Sequence, residues 1–561
     1  MKNSSLKKGC RAVSRFLSGA LLMSAVLTGC GSGGNNVTEA TVEKGNENTA
    51  MESQKAETEN TAAEPVEISA VRPIPDDLKF DGDDTLDNNV WTRLYEEELN
   101  IKLTYDWMTP VAQYEQKLNI AIASDDLPDI FSVNGVQLKQ LVEDERIMDL
   151  TEVYDAYASD YTKEVLQQDG GNALLSAEFD GKLMAVPKMA SGLGNSNVLW
   201  IRTDWLKKVG AKEPETMEDV IKIAQMFTED DPDGNGQKDT YGLGLNKDLW
   251  GMFASLEGFM NGYGAYPNQW ISDESGKLVN GNIQPEMREA LESVQTLYKN
   301  GYVDPEFGVK DGFKVSADVG EGKIGMFYGL FWNMGWLSEA KTANPDMEWK
   351  AYSVVGKEKG NVLVQVPFPI VTYYVVNKDC KNPEAIMQML NLELDKCFGE
   401  NGQPEIYNVD AEGKPIFEYP LIYSEPPMKN MDAQKKVSAA LETEDTTELN
   451  VEEKGYYDNI ILYRNGETAA WSTEMMYGPE GSLAVINDYA EKNMVKDNEY
   501  FGPSTDTMMN SEATLAQMQL QVFTNIILGG DISEFDKFVE DWKTLGGNTV
   551  TEEVNAWKDA R

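Results

Sequence analysis

Residues 66–71 read VEISAV, residues 101–105 read IKLTY and residues 127–133 read LPDIFSV. All three are strand-like: the first alternates apolar and polar side chains, and the third is entered through a proline-containing turn. Between the first two, Trp91, Leu94, Tyr95 and Leu99 share one helical face, and between the last two a helix ends in AIASDD at 121–126. Connections between neighbouring parallel strands pass over the sheet through a helix, so a β-α-β-α-β order predicts a parallel sheet with helices on both sides. The fold class is α/β.

Later helices carry their own signals. Thr216 and Asp219 form a capping-box start for a helix burying Val220, Ile223, Ala224 and Phe227. Met287, Ala290, Leu291, Val294, Leu297 and Tyr298 make one stripe. Ser533, two residues after Asp531, opens a helix burying Phe535, Phe538, Val539 and Trp542, with a stop expected at Gly546-Gly547. No repeat of fixed period is present. At 561 residues the chain has room for two to four domains of roughly 150 residues.

Composition narrows the function. There are 94 Asp and Glu against 49 Lys and Arg, a formal charge of −45, and no histidine. The missing imidazole excludes Ser-His-Asp and Cys-His nucleophiles and any His-ligated zinc or haem. The charge argues against nucleic acid, which needs a basic face. An apolar share of 41% with 10% aromatics is that of a globular protein.

The first thirty residues read as an export signal. Lys2, Lys7, Lys8, Arg11 and Arg15 precede an apolar run from Phe16 to Gly29, too short to span a bilayer core of ~30 Å. The run ends in Leu27-Thr28-Gly29-Cys30, which resembles the lipobox of bacterial lipoproteins; that resemblance implies acylation of Cys30 and a lipid-anchored chain. Residues 31–65 are rich in Gly, Ser, Asn, Thr, Glu and Ala and read as a flexible tether. Loss of residues 1–29 would leave 94 acids against 44 bases, or −50. Cys380 and Cys397 flank the expected helix NPEAIMQMLNLELDK, which would hold them ~20 Å apart, so no disulfide between them is expected.

The sharpest chemical motif is DPDGNGQKDTY at 231–241. Asp231, Asp233 and Asn235 stand at positions 1, 3 and 5, Gly236 at 6, Gln237 at 7 and Asp239 at 9. This is EF-hand spacing, in which alternate oxygens converge on calcium and Gln237 offers its backbone carbonyl. Position 12 is Gly242 rather than Glu, and a strand follows, so the loop reads as a structural calcium clip. An Asp/Asn/Gly turn without metal is the plainer alternative. No phosphate-binding loop, dinucleotide fingerprint or CxxC pair occurs.

Aromatic residues are concentrated. EGKIGMFYGLFWNMGWL at 321–337 holds Tyr328, Phe331, Trp332 and Trp336, and Trp250 and Trp270 bracket a Gly-, Asn- and Tyr-rich stretch. Flat rings with polar edges suit a neutral carbohydrate; core packing is the alternative for each.

LNIAIASDDLPDIF, FDGKLMAVPKM, NVLWIRTDWLKKVG, DPDGNGQKDTYGL, GKIGMF and VVNKDCKNPEAIMQML follow one another in this order after the lipobox and tether. Together they resemble the family 1 extracellular solute-binding proteins of bacterial ABC importers, most of all the long oligosaccharide-binding lipoproteins of Gram-positive bacteria and the alginate-binding proteins. The resemblance covers nearly all of residues 66–561. It implies a two-lobed periplasmic-binding-protein-like fold (type II-like), each lobe a central sheet flanked by helices, joined by a hinge and closing on a ligand in the cleft. On it, 66–188 and 355–425 are expected in the first lobe, 189–354 and 426–561 in the second, after a signal peptide 1–29 and a tether 30–65. It implies calcium at Asp231, Asp233, Asn235, Gln237 and Asp239, away from the cleft; Thr240 stands where the family often has an acid. It implies a sugar-stacking role for Trp332 and hydroxyl hydrogen bonds from Asn134, with Trp250, Trp270, Trp336 and Tyr328 as further cleft walls. The expected partners are an oligosaccharide and ABC permease subunits, for a monomer without enzymatic activity on the outer face of the cell membrane. A secreted glycosidase or lyase using two of the many carboxylates, or a binding protein for a peptide, are the competing expectations.

Overall fold

The computed structural model describes residues 64–75, 78–80, 82–400, 402–409 and 416–561. The expected signal peptide, Cys30 and nearly all of the expected tether lie outside them.

The run from residue 66 folds as its pattern demands. Strand β1 (Val66–Ile74) pairs in parallel with β2 (Ile101–Pro110) and β3 (Ile130–Val133). Between them, Asn89 caps the helix Val90–Leu94, whose wider continuation Tyr95–Leu99 keeps Trp91, Leu94 and Tyr95 buried. The helix Val111–Ser124 leads into β3. Two more strands, β6 (Val186–Met189) and β14 (Ile370–Val376), complete a five-stranded sheet in the order β2-β1-β3-β14-β6. Because β14 runs antiparallel to both neighbours, the sheet is mixed rather than wholly parallel. The antiparallel strand enters from a distant part of the chain, which no local β-α-β reading includes.

Alternation along these strands feeds two cores. Ile68, Ala70, Ile130, Tyr374 and Val376 pack on one face, with the helix Glu384–Phe398; Val71, Phe131, Val133 and Val375 pack on the other, with Leu118, Ile122, Leu138 and Leu141. Helices therefore cover both faces, as expected. Cys380 and Cys397 are free and buried.

A second sheet, in the order β12-β7-β11-β8, joins β7 (Val198–Arg202), β8 (Tyr241–Leu243), β11 (Ile324–Gly329) and β12 (Trp349–Tyr352). Its core takes in the capped helix Met217–Glu229, the helix Pro285–Lys299 and the C-terminal helices from Lys429 onward. The helix Ser533–Trp542 buries Phe535, Phe538 and Trp542, while Val539 is half-buried. Gly546-Gly547 is not a stop: the chain turns through Lys543–Gly547 and continues as the helix Asn548–Asp559. Gly546, at φ +128°, supplies a backbone angle that side-chain-bearing residues avoid. Three two-stranded ladders remain: β4 (Glu178–Phe179) with β5 (Lys182–Leu183), β9 (Trp270–Ser272) with β10 (Leu278–Asn280), and β13 (Val364–Val366) with β15 (Val495–Asp497).

The chain passes between the two main sheets more than once. Residues 190–197 carry it from β6 to β7, and residues 367–369 bring it back from β13 to β14. The return lies beyond residue 355, because β13 is still paired with β15. After Ile422, packed in the first body, Met428 already packs on the second core. The crossing segments are tied together: Ala190 N donates to Pro369 O (2.8 Å), and Met189 N to Ser424 Oγ (3.0 Å).

Candidate functional site

The C-terminal ends of β1, β3 and β6 fall together at one edge of the first sheet, beside the start of β14. A cavity of about 380 Å³ opens there. Arg72 and Pro73 come from β1, Ser132 and Val133 from β3, Lys188 from β6, and Thr372 and Tyr374 from β14. Tyr114 and Glu115 reach it from the helix after β2, and Phe417, Glu418 and Tyr423 close it from a later loop.

Asn134 lines this cavity and also caps the helix Gly135–Glu143. Its Oδ1 accepts from Gln137 N (2.9 Å), and its Nδ2 donates to Glu115 Oε1 (3.3 Å). The surrounding hydroxyls are fixed. Tyr114 Oη donates to Ser132 O (2.9 Å), and Tyr374 Oη to Tyr423 O (3.2 Å). Burial pushes the Tyr114 phenol up to about 12. It therefore stays a neutral hydrogen-bonding group. Amide, hydroxyl and aromatic faces around a preformed hollow suit a polyhydroxylated ligand.

Arg72 is almost fully buried. Its Nη1 donates to Tyr419 O (3.0 Å), its Nη2 to Glu418 O, and its Nε has no hydrogen-bond partner. The guanidinium thereby holds the 418–420 loop against β1. Lys188 is half-buried with its ammonium 5.3 Å from the Tyr423 ring centre.

The five aromatic candidates lie elsewhere. Tyr328 is wholly enclosed in β11, edge-on to Phe259, with Met217 Sδ 3.9 Å from its hydroxyl. Burial holds its phenol far above the ordinary value. Tyr328 is thus a core residue rather than a cleft wall. Trp270 is nearly buried between Tyr500 and Trp542, and Trp250 is half-buried with its edge on Phe523. Trp336 is sandwiched between Phe253 and the exposed Phe313, at 5.6 and 4.6 Å. Trp332 follows the C-terminal end of β11, half-buried and tilted against Trp336 at 5.3 Å.

Two carboxyl groups escaped the sequence reading. Glu257 sits by the same end of β11, where Ser255 N donates to Tyr328 O (3.0 Å) and Phe253 bridges to Gly329. Burial moves its carboxyl to about 7, against the hydrogen bonds from Ser255 and Asn197. Asn197 Nδ2 donates to Glu257 Oε2 at 3.2 Å. Glu393 is fully enclosed; burial holds it well above the usual carboxylate range, and Ser424 N donates to its Oε2 (3.2 Å). No motif marks either one, since both depend on packing by distant segments.

The acidic loop folds on itself. Asp231 carboxylate oxygens accept from Gly234 N and Gly236 N (both 3.1 Å). Both glycines adopt φ +78°, which the tight turn requires. Asn235 Nδ2 lies 2.7 Å from Asp233 Oδ2 and 3.2 Å from both Asp239 oxygens. Desolvation, with the charges of Asp239 and Asp231, raises Asp233. Thr240 is buried and its hydroxyl donates to Phe227 O (2.8 Å), so it is committed to the fold. Among the described residues no three acidic or thiol side chains are grouped as a ready metal site. The donors are nonetheless all oxygens of the kind calcium takes, and an amide N–H₂ group stands where the carboxylates converge.

No helix among the described residues is long and apolar enough to cross a membrane. A profile of bacterial extracellular solute-binding proteins matches residues 80–392. Lipoprotein LipO of Bacillus subtilis (strain 168) is 25% identical over 481 residues, covering 81% of this chain and 85% of that protein. The fructooligosaccharide ABC transporter substrate-binding protein FusA of Streptococcus pneumoniae is 26% identical over 238 residues, 40% of this chain and 43% of that protein. Its solved structure with kestose covers 88% of this chain and 100% of its own, with a TM-score of 0.57 at 16% identity. FusA has also been solved as an EF-hand mutant. The alginate-binding protein AlgQ2, solved without calcium ion, covers 88% of this chain and 98% of its own at a TM-score of 0.58 and 16% identity. The structural likenesses concern the fold.

Proposed function

We infer that this chain, which belongs to the bacterial extracellular solute-binding protein family, captures an oligosaccharide for delivery to an ABC permease in the membrane. Members of the family are binding proteins and not enzymes. The observation that carries the ligand class is the cavity at the ends of β1, β3 and β6, walled by Tyr114, Tyr374, Phe417 and Tyr423 with the Asn134 amide among them. That position, outside the carboxyl ends of strands, is where open α/β sheets hold ligands. FusA, named as a fructooligosaccharide-binding protein, supports the same class.

Capture works by closure of two lobes about the crossing segments, the first built on the five-stranded sheet and the second on the four-stranded one. Asn134 hydrogen-bonds sugar hydroxyls, and Trp332 offers a ring face from the second lobe. Tyr328, Trp250 and Trp270 drop out as sugar contacts because their rings are spent on packing. Calcium bound by Asp231, Asp233, Asn235, Asp239 and the Gln237 carbonyl would brace the loop before β8. Acylation at Cys30 would hold a monomer on the outer face of the cell membrane.

The test is calorimetry of purified protein against a panel of neutral and acidic oligosaccharides. Binding of at least one in the micromolar range is expected. Binding of peptides but of no glycan would sink the carbohydrate reading.

A further inference from the structure

We propose that the oligosaccharide taken by this cavity carries carboxylates, as a chain of hexuronic acids does. The proposal rests on the reading that the cavity is the sugar site. It starts from the arginines. Of the seven among the described residues, five lie beside a carboxylate: Arg93 with Asp84, Arg146 with Asp125, Arg202 with Asp204, Arg288 with Asp536 and Arg464 with Glu474. Arg561 is exposed and lies over the Phe501 and Trp557 rings. Arg72 is the buried exception: among the described residues no carboxylate stands within ion-pair distance.

The contrast with Arg202 is informative, because both side chains are deeply buried. Arg202 is neutralised by a two-pronged pair with Asp204, at 2.8 and 2.6 Å. Arg72 has only dipoles around it: the carbonyls of Glu418, Tyr419 and Pro420, and Tyr105 Oη at 3.4 Å. A desolvated cation without a counter-charge is costly. Here it lines a hollow that a ligand can enter.

Lys188 adds a second charge in the same cavity, likewise without a carboxylate in ion-pair reach among the described residues. One carboxyl that feels it, Glu393, is enclosed and held protonated by burial. The acids that line the cavity are Glu115, exposed and hydrogen-bonded to Asn134, and Glu418. A chain with almost twice as many acids as bases thus leaves two cations uncompensated where a sugar would sit. Carboxylates along the ligand would supply the missing counter-charge, and a neutral sugar would not.

The experiment is calorimetry in low salt with oligomers of galacturonate, glucuronate and mannuronate, three to five residues long. Each is measured beside its methyl ester and its carboxyl-reduced neutral form. The expected result is at least one acid bound tenfold or more tighter than its own ester, a preference that shrinks with added salt and narrows in Lys188→Gln. Lys188 is half-buried, so this variant is expected to fold even where Arg72→Gln does not. Equal or tighter binding of ester or neutral forms overturns the proposal and leaves the sugar reading intact. Binding confined to sugars of the neutral panel does the same. Binding of no glycan at all removes both.

Discussion

Glu257→Gln isolates the one half-buried carboxyl at the end of β11, and its effect on stability can be worked out with its sign. Burial carries the pKa from 4.5 to about 7. At ~1.4 kcal/mol per tenfold change in proton affinity, the folded state holds that proton more tightly by ~3 kcal/mol. Because the group is half-buried rather than enclosed, water screens part of this and ~2–3 kcal/mol is the better figure. Below pH 4.5 the carboxyl is protonated folded and unfolded, and nothing is lost. Between pH 4.5 and 7 the unfolded chain releases the proton while the folded one keeps it, so stability falls as pH rises. Above pH 7 the folded protein bears the whole cost of a poorly solvated carboxylate. Glutamine has no proton to lose, and its Oε1 can still accept from Asn197 Nδ2. Urea unfolding of both proteins at pH 4.5, 6 and 8, at fixed salt and calcium, should give matching stabilities at the lowest pH and an advantage of ~2–3 kcal/mol for the variant at pH 8. The subtraction cancels the other carboxylates of this acidic chain. A variant-minus-parent difference that stays constant across the three pH values, or a variant less stable at pH 8, would refute the reasoning.

Calcium should raise the melting temperature and EGTA should lower it, since an ion bound only by the folded chain adds ~2.7 kcal/mol at a hundredfold excess over its Kd; Asp233→Asn should weaken the response, and a melting temperature indifferent to both reagents discards the calcium loop. Trp332→Ala is expected to reduce sugar affinity tenfold or more, on the order of 1–3 kcal/mol for a stacked aromatic, and unchanged calorimetry removes Trp332 from the site. Tyr328→Ala should instead destabilise the fold by ~3–5 kcal/mol, read from urea midpoints; loss of sugar affinity in a stably folded Tyr328 variant would contradict its assignment to the core. Burial pushes the Cys380 thiol up to about 11 and raises Cys397 as well, so neither should react with a thiol reagent at neutral pH until urea unfolds the chain, and prompt labelling of native protein would show otherwise.

The opening β-α-β-α-β run was legible because its signals are local. The alternation of VEISAV, the Asn89 cap and the Trp91, Leu94 and Tyr95 face lie within a few residues of the bonds they make. The Thr216–Asp219 box is another such case. Gly546-Gly547 shows the limit: glycines end helices in isolation, but here Thr507 and Ser511 from a preceding helix crowd Gly546, and the chain turns into another helix. The aromatic candidates failed for a similar reason. All six residues of β11 are buried, so alternation cannot tell which side of the strand a ring faces. Gly258, remote in sequence, makes room for Tyr328: a Cβ there would stand 2.3 Å from its ring.

The cavity residues were mostly out of reach of motif reading because residues 72, 114, 134, 188, 374 and 423 meet only when β14 returns and the 418–420 loop is pinned by Arg72. Asn134 was the exception, and the reason is instructive. A residue that ends a strand and caps the next helix is marked locally, and in an α/β sheet that position is also the edge where ligands sit. Its capping duty limits what it can offer. One amide lone pair is used by Gln137 N and one N–H by Glu115 Oε1, leaving one acceptor site and one donor for a ligand. A single amide so constrained can orient a hydroxyl but cannot by itself choose among sugars. Selectivity must then come from groups whose needs are unmet in the protein alone, and in this cavity those are the cations of Arg72 and Lys188.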